Sequence, residues 1–234
     1  MKLKLPVIFG FYFLIISAFL IITAAGNKAV SVVAENLPVE RQHTIIIDAG
    51  HGGIDGGATS CTGMLESEIN LAISLRLNDL FHLLGYETVM IRTTDTSVYT
   101  QGNTIASQKV SDLKERVRIV NSTGNGTLVS IHQNTFSDSR YNGAQVFYSE
   151  NLESKALADA LQRELITALN PGSNRKSKKA DGIYLMEHIE CTGILVECGF
   201  LSNPEEEAKL RSKEYQNRLC SVIAAVVCDY LTNT

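Results

Sequence analysis

Short apolar runs that stop abruptly recur along the chain, and most are followed by a stretch with helical spacing. Ile45 to Ile47 is a β-branched run that ends at Asp48, Gly50 and His51, which predicts a short buried strand. Apolar residues at 65, 69, 73, 77, 80 and 84 then keep close to the helical period, and Gly85 supplies a stop. Glu87 to Ile91 predicts a second strand, and residues 96–110 read as a polar loop long enough to form a wall or lid. Asp112, Leu113, Lys114 and Glu115 have capping-box spacing for a helix that runs to about Asn121. Leu128 to Ile131 is a third apolar run, ending at His132, Gln133 and Asn134. Gly143 to Tyr148 and Gly182 to Met186 predict further strands, separated by a helix with apolar positions 157, 161, 165 and 169. Gly193 to Phe200 is the last strand, before a short acidic helix capped at Ser202, Asn203 and Pro204 and a closing helix over Tyr215 to Leu231. Strands alternating with helices predict one α/β domain: a twisted, largely parallel sheet of about six strands flanked by helices.

The first residues follow a different pattern. Met1 to Lys4 is basic and Leu5 to Ala25 almost wholly apolar, the pattern of an export signal. The run just reaches the roughly 20 residues that span a bilayer, and Thr23, Ala24, Ala25 and Gly26 offer a cleavage site. Residues 1–26 are therefore read as a signal peptide or a membrane anchor, residues 27–42 as a linker and residues 43–234 as the working domain. Either reading places the domain outside the cytoplasmic membrane, with membrane contact through the N-terminal segment if it is retained.

Charge and cysteine content narrow the functional classes. The net charge is −4, and Lys2 and Lys4 of the leader are among the positive residues. So acidic a domain does not read nucleic acid through a basic surface. The basic stretch from Ser173 to Ala180 is by default a solvated loop, although in an acidic protein it could also face an anionic polymer. The five cysteines, at 61, 191, 198, 220 and 228, include no C-x-x-C pair and lack zinc-ribbon spacing. Cys198 sits in an apolar run and Cys220 and Cys228 lie in the closing helix, which favours buried free thiols, while a disulfide between two of them stays open in an exported protein.

The chemistry gathers at strand ends. His51, His132 and Glu197 each lie at or beyond the end of a buried run, where open α/β sheets place their ligands. Glu66 and Glu68 open the first helix, and helical periodicity does not separate them, since each aligns with apolar residues. Both suit the positive end of the helix dipole without further function. Taken singly, His51 belongs to a glycine-rich loop and needs no function. Taken together, two imidazoles and a carboxylate form the ligand set of a catalytic zinc site, and a further carboxylate would serve as general base. Burying Glu197 unpaired would be costly, so it should face such a site or meet a cation. His43, His82 and His188 read as surface or satisfied structural residues.

At these residues the chain resembles the zinc-dependent N-acetylmuramoyl-L-alanine amidases with a type 3 catalytic domain. The resemblance rests on five blocks in order: Ile47 to Gly53, Glu66 with Asn70 and Leu71, Arg92 to Asp95, Ser130 to Asn134, and Val196 to Pro204. It implies that His51, Glu66 and His132 bind Zn2+ and that Glu197 is the catalytic acid/base. It is the resemblance that selects Glu66 over Glu68. The implied reaction splits the amide between the lactyl group of N-acetylmuramic acid and L-alanine in peptidoglycan. Zinc acidifies water and polarises the carbonyl, while Glu197 passes the water's proton to the departing nitrogen.

With a hydrophobic leader and no wall-binding repeats, the chain is similar to the germination-specific amidases of spore formers. Those strip peptides from cortex peptidoglycan toward muramic δ-lactam. Two departures stand out: Ala49 replaces the family's usual proline, and Glu187 stands where arginine is frequent. The resemblance leaves an accessory protein or a second copy of the chain open as partners. The competing expectations are a general wall amidase in lysis or remodelling, a zinc peptidase on the stem peptide, and a non-catalytic wall-binding module.

Overall fold

The computed structural model describes residues 43–233, so the expected leader and linker lie outside the described residues. Within them, no helix is long and apolar enough to cross a membrane. The chain runs β1 (Thr44–Ala49), α1 (Glu66–Leu83), β2 (Glu87–Met90), α2 (Ile105–Ser122), β3 (Gly126–Asn134), β4 (Gln145–Tyr148), α3 (Leu152–Leu169), β5 (Lys178–Lys179), α4 (Tyr184–His188), β6 (Thr192–Phe200), α5 (Pro204–Arg211) and α6 (Lys213–Thr232). The strands form one six-stranded sheet in the order β2-β1-β3-β6-β4-β5. All neighbours are parallel except β4 and β6. A single α/β domain with a mostly parallel sheet is the architecture expected from the alternation of strands and helices.

Strand parity divides the core into two layers. Ile45 and Ile47, Val129 and Ile131, and Ile194 and Val196 share one cluster with Ile73 and Leu77 of α1, Leu161 of α3 and Ile223 of α6. Ile46, Leu128 and Leu195 point the other way, onto Val120 of α2 and Leu185 and Met186 of α4. Both faces of the central strands are thus buried, which explains why they read as continuous apolar runs. The same parity puts Asp48, Ser130, His132 and Glu197 on the α2 side. The path β1-α1-β2 runs to one side of β1 and β3 adds on the other, so the strand order reverses between β1 and β3. That reversal opens a crevice at their carboxyl ends.

A buried ion pair ties this crevice to α2. Asp48 accepts hydrogen bonds from Arg116 and, at 2.6 Å, from Ser130 Oγ. Both members of the pair are almost wholly buried. Burial pushes the Asp48 carboxyl up, but Arg116, His132 and the Ser130 hydroxyl together outweigh it and hold the group below its ordinary value. Asp48→Asn is expected to cost about 3–5 kcal/mol in urea unfolding at pH 7, as for other broken buried pairs. Because the folded value is depressed, this contribution is present above the unfolded pKa of about 3.9 and is lost as pH falls through the folded value. The gap between wild type and variant should therefore narrow in melts taken well below pH 4.

Two elements differ from their sequence reading. The segment Gly182 to Met186 is not a strand: α4 begins at Tyr184. Glu187 Oε1 accepts from the Gly182 N–H at 2.6 Å, and Leu185 and Met186 turn inward from one helical turn. The fifth strand is instead the exposed pair Lys178–Lys179 within the basic loop. Helix α2 starts at Ile105, earlier than the Asp112 spacing suggested, because Thr104 and Ser107 form a reciprocal cap. Asp112 is left inside the helix, where it accepts from the Val98 N–H at 2.6 Å and from Arg116 Nε at 2.6 Å.

Candidate metal centre

His51, Glu66 and His132 come together at the crevice between β1 and β3, with donor atoms all within 4.8 Å of one another. His51 Nε2 lies 3.3 Å from Glu66 Oε2, and His132 Nδ1 lies 3.0 Å from Glu66 Oε1. Donors sharing a tetrahedral ion at 2.0–2.1 Å sit about 3.3 Å apart. Two imidazoles and a carboxylate at these separations therefore fit a divalent ion with an open position.

Each donor has its own local cause. His132 is the last regular residue of β3 before the register shifts between His132 and Asn134. Its ring lies on the backbone of Gly50, where an added Cβ would stand 2.2 Å from Nε2. His51 follows β1 with a positive φ of 61°, a conformation uncommon outside glycine and often kept at working sites. Glu66 opens α1 and is buried, whereas Glu68 in the same turn is exposed. Its carboxylate accepts from the N–H of Ala58 at 2.9 Å and of Gln133 at 3.1 Å, and from Asn70 Nδ2 at 3.2 Å. Gly57 closes the loop over the cluster: a Cβ there would meet Glu66 Oε2 at 2.6 Å and His51 Cδ2 at 2.7 Å.

The donors also shift one another's charge states. Burial pushes the Glu66 carboxyl up, but His132 and His51 together hold it far below the usual range. Burial alone would lower His51, yet Glu66 and Asp55 raise it to about 9.

Glu197 pairs with His132 in the β3–β6 register, so both side chains leave the sheet on one face. Its Oε2 is sealed from solvent and has no hydrogen-bond partner. Burial pushes its carboxyl up to about 7, with His132 opposing and Glu66 adding to the rise. A buried, unpartnered carboxylate oxygen beside two imidazoles is equipped to take and give a proton.

The backbone beneath the donors is clamped by two buried arginines. Arg92 donates from Nε to Ala49 O at 2.8 Å and from Nη2 to Gly50 O at 3.0 Å and Ser67 O at 2.8 Å. Arg116 donates to Ala49 O at 3.0 Å and to His51 O at 2.7 Å. Beside the centre opens a cleft of about 210 Å³ whose wall includes Ile54, Leu113, Ile183, Tyr184 and Leu185. Ser97 lines it, so the polar segment expected as a wall does contribute one, although the residues from Ile105 onward are helical.

The sequence reading brought out the residues of the cluster, and the structure gathers them. It did not bring out Arg116 or Asp55. Arg116 sits in a helix of polar composition, where a cation is ordinarily solvated. Asp55 lies four residues after His51, and that offset within a glycine-rich loop was the available signal. The other histidines are engaged elsewhere: His43 with Thr127 Oγ1 at 2.8 Å, His82 with Thr88 Oγ1 at 2.6 Å and His188 with Tyr184 O at 2.8 Å. All five cysteines are free thiols; Cys198 and Cys220 are buried, Cys191 and Cys228 partly so, and Cys61 is exposed.

An open α/β sheet with such a cluster at its switch point has the make-up of a metal-assisted hydrolase. Comparison with known proteins gives the family. The family model described as N-acetylmuramoyl-L-alanine amidase matches residues 45–229, and the chain belongs to that family. It is a hydrolase of peptidoglycan, cleaving between N-acetylmuramic acid and L-alanine. The germination-specific N-acetylmuramoyl-L-alanine amidase of Bacillus subtilis is 35% identical over 190 residues, 80% of this chain and 79% of that protein. Among solved structures, the CwlD amidase from Clostridioides difficile, in complex with the GerS lipoprotein, superposes with a TM-score of 0.79 at 38% identity. That match covers 82% of this chain and 100% of the other. An N-acetylmuramoyl-L-alanine amidase of Nostoc punctiforme follows, with a TM-score of 0.71 at 29% identity over 82% of this chain and 98% of that one.

Proposed function

We propose that the chain is a zinc amidase of spore-cortex peptidoglycan, with His51, Glu66 and His132 as metal ligands and Glu197 as the catalytic acid/base. The observation that carries this is the convergence of the three donors beside the unpartnered Oε2 of Glu197. Zinc suits a donor set of two imidazoles and one carboxylate, and when bound it supplies Lewis acidity toward the carbonyl and toward water. Everything else is done by the chain. Asn70 and the N–H groups of Gln133 and Ala58 fix the Glu66 carboxylate, and Gly50 leaves room for the His132 ring just past the end of β1. Glu197 takes a proton from the attacking water and returns it to the departing alanine nitrogen, which cannot leave as an anion.

The cortex substrate rests on the likeness to the Bacillus subtilis germination-specific enzyme, and cleavage there is a step toward muramic δ-lactam. The complex of the CwlD neighbour with a lipoprotein supports an accessory protein as the partner class. The N-terminal segment, as signal peptide or anchor, delivers the domain to the outer side of the membrane.

The test is mass spectrometry of cortex peptidoglycan digested by the purified chain, with and without a chelator. Free lactyl carboxylates on the sugar, lost on chelation and restored by Zn2+, are the expected products. Sugars that keep their alanine would mean a peptidase instead. Unchanged digestion in chelator would refute the metal role.

A further inference from the structure

The two histidines of the centre are backed in different ways. His132 turns Nδ1 inward, and its far nitrogen rests on the Gly50 backbone. His51 turns Nε2 inward, and its far nitrogen, Nδ1–H, donates to Asp55 Oδ2 at 2.8 Å. Asp55 is itself held on several sides. Its backbone exchanges hydrogen bonds with Gly52, at 2.7 and 3.2 Å. Its other carboxylate oxygen accepts from Lys109 Nζ at 2.7 Å and from the Gly57 N–H at 3.3 Å. Lys109 belongs to α2, so a side-chain chain runs from that helix through Asp55 to the inward nitrogen of His51.

We propose that Asp55 is a positioning residue for the metal, fixing the His51 ring through Nδ1, and that Lys109 fixes Asp55 in turn. The inference rests on His51 being a metal ligand. A carboxylate can only accept, so the hydrogen on Nδ1 is committed to it and the lone pair of Nε2 is left for the ion. The same contact locks the ring about its long axis and makes the imidazole a better donor. Among the described residues, no carboxylate accepts a hydrogen bond from the far nitrogen of His132. Tuning of the metal affinity from behind a histidine therefore falls on Asp55 alone among the described residues of this cluster. Lys109 is half exposed, so its share is the smaller and is screened by salt.

The experiment measures Zn2+ affinity of the full chain by competition with a chromophoric chelator at pH 7.5, for wild type, Asp55→Asn, Lys109→Met and His51→Ala. Urea unfolding of the metal-free proteins runs alongside. Asp55→Asn is expected to bind Zn2+ about 10–100-fold more weakly, the range found when the partner behind a ligating histidine is removed. Lys109→Met should weaken binding less, with the difference shrinking in high salt. A purely structural role for Asp55 would lower the urea midpoint and leave the affinity of the folded protein at the wild-type value. That outcome, with His51→Ala failing to bind, would overturn the role of Asp55 and leave the metal centre standing. Wild-type affinity in His51→Ala would instead remove the metal centre on which the inference rests.

Discussion

Glu197→Gln is expected to keep its zinc and lose hydrolysis by about 10²–10⁴-fold, the usual contribution of a positioned general acid or base. The substitution preserves side-chain volume at a site of half-buried character, so β6 should fold as before. It removes the carboxylate proposed to take a proton from water and return it. Metal analysis of the purified variant, together with the initial rate of lactyl carboxylate release, separates the two effects. Wild-type turnover would sink the assignment. The pH profile adds a second reading. Without metal the carboxyl sits at about 7, mainly through burial, and a cation beside it favours the charged form. As a base it must be ionised, so activity of the zinc-loaded enzyme should rise with pH through an acid limb centred below 7. That limb should be missing from the residual activity of Glu197→Gln.

Gly50→Ala should be nearly as damaging, though glycine has no chemistry of its own. A Cβ at that position would lie 2.2, 2.3 and 2.7 Å from Nε2, Cε1 and Cδ2 of His132. The backbone at 50 is held by Arg92 and Asn70, so the ring is what must move. We expect zinc binding and hydrolysis to fall to the level of His132→Ala, with circular dichroism unchanged because the clash lies at the rim of the core. Gly124→Ala, which meets open space, is the control. Full zinc affinity in Gly50→Ala would show that the ring has room the structure denies it.

How much of this could be read in the chain beforehand follows from where each signal is stored. β1, β3 and β6 were legible because both faces are buried, so apolar residues stand side by side at Ile45 to Ile47, Leu128 and Val129, and Ile194 to Val196. His51 and His132, the proposed ligands, were legible as polar endings to the first two of those runs. Glu66 and Glu68 were not separable by period, since both precede apolar residues by whole turns. What distinguishes them is how the first turn of α1 docks on the Gln133 N–H, a contact 67 residues away in sequence. The resemblance to known amidases chose Glu66, and the structure gathers that carboxylate with His51 and His132. Lys178–Lys179 left no trace because a two-residue exposed edge strand needs no apolar pattern. Gly182 to Met186 misled because one inward-facing helical turn and a short strand present the same few apolar letters. Arg92 and Arg116 carry their meaning in the carbonyls they reach, which no local pattern records.

Those carbonyls have a consequence for how an ion arrives. Residues 49, 50 and 51 are gripped in succession by guanidinium groups from the loop after β2 and from α2. The strained turn at His51 is therefore maintained by hydrogen bonds that involve no ion at all. A cage assembled in advance loses little chain entropy when it fills, and its emptying need not loosen the sheet beneath. Chelated protein should therefore recover full activity on remetallation within the time of ion binding, with no refolding delay.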